Sequence, residues 1–283
     1  MRLCCFNNNR LGVLENDTLR DVSHVLDQLP LEPWVRSIEE PVIARLDSLR
    51  SIIETALSTA PMVSVSEVAL DAPVALPSKI IGAPVNYHAH LDEANEDQAL
   101  HQGRKVHPID EIGCFLKAGS SLIGSGGIIE LPEAMDRVDY EGEIAIVIGT
   151  AGRTISARDA IKHVAGYTLA LDMSVRGKQD RSMRKSCDGF AVLGPSLVTA
   201  DEISNHKDIS FELRLNNKVK QASNTSQLIR SIPELIVMCS AFYTLLPGDV
   251  IMTGTPAGVG PVDTGDLIEL SSPQLGILTA QVQ

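Results

Sequence analysis

No stretch of this 283-residue chain approaches the roughly 18 consecutive apolar residues that a bilayer-spanning helix needs. The N-terminus, Met1-Arg2-Leu3-Cys4-Cys5-Phe6-Asn7-Asn8-Asn9, lacks the apolar core of a secretory signal. A soluble, cytoplasmic protein is therefore expected. Positive charge is in short supply: 24 Lys and Arg stand against 36 Asp and Glu, a net of -12. Such a field repels phosphate backbones and anionic headgroups, which argues against nucleic acid and membrane surfaces as partners. Cysteine is sparse and scattered, at Cys4, Cys5, Cys114, Cys187 and Cys239, with no C-x-x-C pair. That is neither a disulfide framework nor a zinc site, and reduced thiols are the simplest account. Internal repeats and low-complexity segments are missing as well. What is present is an ordinary globular composition, 44% hydrophobic and 21% charged, in a chain long enough to bury a large core without staples.

Leu19, Val22, Leu26 and Leu29 recur at helical spacing behind Asp17 or Thr18 as a cap, predicting a helix over 18–29. Ile43, Leu46, Leu49, Ile53 and Leu57 mark a second helix over about 40–59. The segment Asp71-Ala72-Pro73-Val74-Ala75-Leu76-Pro77 then reads as a linker, dividing a small N-terminal domain, 1–77, from a catalytic domain, 78–283. Beyond it come short β-branched runs at 79–81, 127–131, 144–148, 164–171, 211–215, 250–252 and 267–270. Helical stretches at 88–102, 157–164 and 233–245 interrupt them. This irregular mixture indicates an α+β architecture, not the strict alternation of a doubly wound sheet.

The segment most suggestive of chemistry is Arg137-Val138-Asp139-Tyr140-Glu141-Gly142-Glu143-Ile144-Ala145-Ile146-Val147-Ile148. Residues two apart on a strand share a face at a Cα spacing of about 7 Å, so Glu141 and Glu143 point together. On a surface strand such a pair would be an unremarkable solvated face. Ala145 and Val147, however, continue the same face into apolar sequence, and two carboxylates at the mouth of a buried strand need a cation. Asp172, closing the apolar run 164–171, could supply a third oxygen donor, a set suited to Mg²⁺ or Mn²⁺.

These segments, in their order, resemble the fumarylacetoacetate hydrolase family. The resemblance rests on Asn86-Tyr87-His88-Ala89-His90-Leu91-Asp92-Glu93, on 137–143, on Gly166-Tyr167-Thr168 through Asp172, on Arg184-Lys185-Ser186 and on Thr253-Gly254-Thr255-Pro256-Ala257-Gly258-Val259-Gly260. It spans about residue 79 to the C-terminus. It implies a mixed β-sandwich roll paired as a homodimer, with Glu141, Glu143 and Asp172 as ligands of Mg²⁺ or Mn²⁺. It further implies His90 and Glu93 as a water-activating pair on a short closing helix, and the three-residue spacing agrees, since such residues share a helix face. Lys185 would polarise a substrate oxygen, and Arg176, Gln179 and Thr255 would contact the substrate. Only five residues separate Gln179 from Lys185, fewer than in many relatives, which suggests an altered substrate pocket.

The implied activity is metal-dependent hydrolysis of a carbon-carbon bond in a 2,4-dioxo acid, an acylpyruvate, giving pyruvate and a second acid. The same constellation also suits oxaloacetate decarboxylation and hydration or isomerisation of 2-oxo acids. A protein that only binds a 2-oxo acid is the remaining alternative, against which the retention of both His90 and Glu93 argues.

Overall fold

The computed structural model describes residues 1–8, 10–29, 39–96, 106–133 and 137–283. Its spine is a large mixed sheet. In spatial order its strands are Met62–Ser64, Thr18–Asp21, Arg10–Glu15, Arg2–Phe6, Ala191–Thr199, Val164–Asp172, Gly142–Ile148, Val250–Met252, Ile80–Gly82 and Phe115–Lys117. Leu122–Gly124 lies parallel beside Ala191–Thr199, and Ile80–Gly82 runs parallel to Val250–Met252. A five-stranded sheet, ordered Lys218–Asn224, Ser210–Leu215, Leu267–Ser272, Gly276–Val282, Gly127–Ile129, packs against it. Three short strands, Ser174–Val175, Val138–Tyr140 and Gly260–Pro261, form a third sheet beside the central strands. This is the α+β roll that the sequence suggested.

The central strands Gly142–Ile148 and Val164–Asp172 are buried along their whole length, so they carry apolar residues on both faces. Ile144, Ile146 and Ile148 face one core, shared with the five-stranded sheet and the helix Ile232–Phe242. Ala145 and Val147 face a second core, shared with Leu46, Leu49 and Ile53 of the helix Leu46–Leu57 and with Leu3 of the first strand. The sheet therefore crosses the proline-rich 71–77 segment without a break: Arg2 and Leu3 pair with Val198 and Leu197.

The expected helix over 18–29 is instead a strand, Thr18–Asp21, followed by a 3₁₀ turn at Ser23–Gln28. Asn16, at φ 55, makes with Asp17 the two-residue turn of a hairpin in which Glu15 pairs with Thr18. The Leu19 and Asp21 side chains then alternate inward, so Asp17 serves a hairpin turn and not a helix cap. The second helix is present in two pieces, Pro41–Ala44 and Leu46–Leu57, broken at Arg45. The stretch 157–164 reduces to a 3₁₀ turn, Ala160–His163. The C-terminal helix runs Ile232–Phe242 and begins with a reciprocal capping box between Ser231 and Glu234. Of the helix expected over 88–102, His88–Glu96 is observed, and 97–102 lies outside the described residues.

Candidate active site

Strand register builds the centre. Gly142 pairs with Leu171 and Glu143 with Ala170, which sets Glu141 opposite Asp172, and the Asp172 amide donates to the Glu141 carbonyl at 2.9 Å. One carboxylate oxygen from each of Glu141, Glu143 and Asp172 lies within 4.8 Å of the others, and all three residues are buried. Three adjacent carboxylates cannot all ionise in a buried site without compensating charge. Burial acts against ionised Glu141, but Lys185, then Arg176 and His90, hold its pKa well below the usual carboxylate range. Glu143 goes the other way: burial, then the charges of Asp172 and Glu141, push it well up.

The compensation comes from a ring of cations. Lys185 Nζ donates to Glu141 Oε2 and Asp172 Oδ2, both at 2.6 Å. Lys117 Nζ reaches Asp172 Oδ1 at 2.5 Å, and burial pulls its ammonium pKa down despite that partner. Arg176 spans Asp139 Oδ2 and Glu141 Oε1, each at 2.8 Å, while Arg137 holds the other side of Asp139. The oxygen-only donor set, and the unmet charge that leaves Glu143 raised, fit a hard divalent cation.

The helix His88–Glu96 sets His90 against this centre at 4% exposure, not in solvent as its polar neighbours would allow. His90 Nδ1 meets Glu93 Oε2 at 3.0 Å, and the Gly258 amide donates to Glu93 Oε1 at 2.8 Å. The Nδ1 contact leaves Nε2 as the second nitrogen of the ring. The loop 253–259 wraps the site. The Gly254 amide donates to Glu143 Oε2 at 2.6 Å from a backbone at φ 98, where a Cβ would also approach Asn86 Cβ to 2.8 Å. Asn86, fully buried, donates to the carbonyls of Arg230 and Thr253 and so ties the start of the helix to that loop.

Two expected substrate contacts are engaged otherwise here. Thr255 donates its hydroxyl proton to the Gly142 carbonyl at 3.0 Å and accepts from Gln221 Nε2 at 2.7 Å. A hydroxyl has one proton to give, so Thr255 secures the strand that carries the glutamates. Arg176 likewise gives Nε and Nη2 to carboxylates. Gln179 is exposed and folds back over Gly177, where a Cβ would lie 2.2 Å from its Oε1. Lys117, paired with Asp172, is a further residue of the site beyond those the sequence pointed to. The sequence signal is only a lysine two residues after Phe115 on a short apolar strand; that the Phe115 ring receives Lys185 at 5.2 Å is a tertiary fact.

A profile of the fumarylacetoacetate (FAA) hydrolase C-terminal region matches residues 79–283. The chain belongs to the fumarylacetoacetate hydrolase family. A maleylpyruvate hydrolase of Aquipseudomonas alcaligenes is 43% identical over 285 residues, covering 100% of this chain and 99% of that protein. A mitochondrial oxaloacetate tautomerase of Bos taurus is 36% identical, covering 91% of this chain and 83% of its own length. A crystal structure of maleylpyruvate hydrolase from Sphingobium sp. SYK-6, in complex with manganese(II) and pyruvate, superposes with a TM-score of 0.84 at 36% identity, covering 100% of this chain and 98% of that one. The fumarylacetoacetate hydrolase profile thus begins just past Pro77, while the two maleylpyruvate hydrolases match across the first 77 residues too.

Proposed function

We propose that this chain is a metal-dependent hydrolase that cleaves the carbon-carbon bond of a 2,4-dioxo acid, releasing pyruvate and a second acid. The observation that carries the reading is the buried Glu141, Glu143 and Asp172 cluster facing the His90 and Glu93 pair. Glu141, Glu143 and Asp172 would hold Mg²⁺ or Mn²⁺, in keeping with the manganese and pyruvate of the Sphingobium relative. When bound, the cation supplies Lewis-acid stabilisation of negative charge on a 2-oxo acid. The protein is further proposed to work as a cytoplasmic homodimer.

The protein's own groups divide the remaining work. Glu93, steadied by the Gly258 amide, orients His90 through Nδ1, and Nε2 takes a proton from water. The hydroxide adds to the C4 carbonyl carbon, the C3–C4 bond breaks with its electron pair moving to C3, and a proton returned to C3 yields pyruvate. Lys117, Lys185 and Arg176 surround the carboxylates with positive charge that offsets the developing enolate.

Release of pyruvate from a panel of acylpyruvates and oxaloacetate, with Mg²⁺, Mn²⁺ or EDTA, tests the reading. Metal-dependent cleavage of at least one acylpyruvate is expected, and failure on all of them would sink it. The oxaloacetate tautomerase relative favours a second reading, enol–keto chemistry on the same site, which releases no pyruvate and is read instead as accelerated interconversion of enol and keto oxaloacetate without acylpyruvate cleavage.

A further inference from the structure

Two of the five cysteines meet in the fold. Cys114 and Cys239 stand 125 residues apart in the chain, yet their Sγ atoms lie 3.5 Å apart, in contact but unbonded. Cys239 faces the main core from the helix Ile232–Phe242 and is 1% exposed. Cys114 is partly exposed, where the chain leaves the helix Ile109–Ile112 for the strand Phe115–Lys117. A small solute can therefore reach one thiol, and the second lies directly against it.

The two sulfurs are also unequal. A hydrogen bond from Cys239 holds the Cys114 thiol below its ordinary range, against burial that acts the other way. The same bond, then burial, push Cys239 well up. Burial raises Cys4, Cys5 and Cys187 as well, so Cys114 alone among the five is brought down. Thiolates are the form that attacks an oxidant, and oxidant-sensing thiols combine thiolate character, exposure and a neighbouring thiol. In a reducing compartment such a pair closes transiently and does not serve as a staple.

Their place in the fold ties them to the carboxylate centre. Among the described residues Phe115–Lys117 pairs only with Ile80–Gly82, which makes it the edge of the large sheet. Lys117, three residues after Cys114, sets its buried ammonium on Asp172, and the Phe115 ring takes the Lys185 ammonium at 5.2 Å. Forming an S–S bond from the present contact draws the two sulfurs together by about 1.5 Å. The helix Ile232–Phe242 is anchored in the core by Leu235 and Ile236, so the movement falls on the three-residue edge strand and pulls Lys117 away from Asp172.

We propose that Cys114 and Cys239 form a reversible oxidation site for hydrogen peroxide, and that their disulfide loosens the metal centre by shifting the strand that carries Lys117. The Cys114 sulfur attacks one peroxide oxygen, the O–O bond breaks, and a sulfenic acid and water result. The Cys239 sulfur then attacks the Cys114 sulfur, the S–O bond breaks, and the departing hydroxide takes the Cys239 proton and leaves as water. In sum two thiols give up two electrons and two protons, and one peroxide becomes two waters. A dithiol reductant reopens the bond by exchange.

The test uses full-length protein stripped with EDTA, treated with a small excess of hydrogen peroxide and desalted. One portion is digested for mass spectrometry under non-reducing conditions, and another is titrated with Mn²⁺ by calorimetry. A linked Cys114–Cys239 peptide is expected, with Mn²⁺ bound about 10- to 100-fold more weakly, the usual effect of disturbing the partner of a metal ligand. Dithiothreitol followed by desalting should reverse both changes. Cys114→Ser and Cys239→Ala should keep the Mn²⁺ affinity of untreated wild type before and after peroxide. No linked peptide in wild type, a linked peptide with unchanged Mn²⁺ affinity, or an equal loss of affinity in Cys114→Ser overturns the proposal. Both readouts work without substrate, so they stand or fall apart from the hydrolase reading.

Discussion

At the scale of single residues, the centre is a balance between carboxylates that repel and cations that permit them. Glu143 carries the unmet part of that balance, because its amide partner Gly254 is neutral and its neighbours are negative. Glu143→Gln should therefore raise the unfolding temperature of EDTA-treated protein at neutral pH while abolishing activity and weakening Mn²⁺ binding. Calorimetric melts and metal titrations check both, and a destabilised metal-free variant would contradict the charge argument. His90 is asked to take a proton from water, so His90→Ala should lose roughly 10²- to 10⁴-fold in hydrolysis while pyruvate and oxalate still bind. Lys185→Ala should weaken both binding and hydrolysis, since Lys185 touches the carboxylates themselves. Unchanged hydrolysis in His90→Ala removes the histidine from the mechanism.

At the scale of elements, the helix His88–Glu96 is the least firmly held part of the site. Only His90 and Ala94 of its nine residues are buried, and its small apolar cluster consists of Val85, Ala94 and Val106 with Leu91 and Ile112. It is docked by polar links: Glu93 to the Gly258 amide, and Asn95 to Val106 through the Val106 amide at 3.1 Å. Elements with so little buried apolar area open at low cost. Amide hydrogen exchange over 88–96 should be faster than over the strand Gly142–Ile148 and should slow on adding Mn²⁺ with oxalate. Equal protection with and without oxalate would mean the helix is no closing element.

At the scale of the whole molecule, the first 77 residues are joined to the rest by sheet pairing, by a shared apolar core and by one two-pronged ion pair. Arg50 on the helix Leu46–Leu57 contacts both oxygens of Asp201, at 2.9 and 3.0 Å. Partial burial acts to raise the Asp201 pKa, but the Thr199 hydroxyl and Arg50 more than offset it and bring it down to about 2. That lies below the unfolded value of about 3.9. Its stabilisation is therefore present in full above about pH 4 and is lost as pH falls toward 2. The Asp201 side chain is half exposed, so solvent screening limits the pair to at most about 1 kcal/mol. Arg50→Ala should lower the unfolding temperature at pH 7 by no more than about 2–4 °C, and the difference should shrink as pH approaches 3. A difference that stays constant across that range would show that the ion pair contributes nothing.

The sequence alone determined whatever depends on local order along the chain. The E-x-E strand is an example, since a period of two obliges Glu141 and Glu143 to share a face wherever the strand lies. The His90 and Glu93 pair is another, set by the helical spacing of three. The class of fold and the short β-rich runs were legible for the same reason, because alternation and turn residues are written in neighbouring positions. Tertiary structure decided the rest. Leu19, Val22 and Leu26 satisfy a helical spacing in isolation, and pairing of Thr18–Asp21 with strands on both sides overrode it. Asp172 meets Glu141 only through an antiparallel register spanning some thirty residues, and Lys117 reaches Asp172 only because the strand Phe115–Lys117 is laid beside the centre by its pairing with Ile80–Gly82. Charge compensation in a buried site is a sum over partners distant in sequence, and no local spacing encodes that sum.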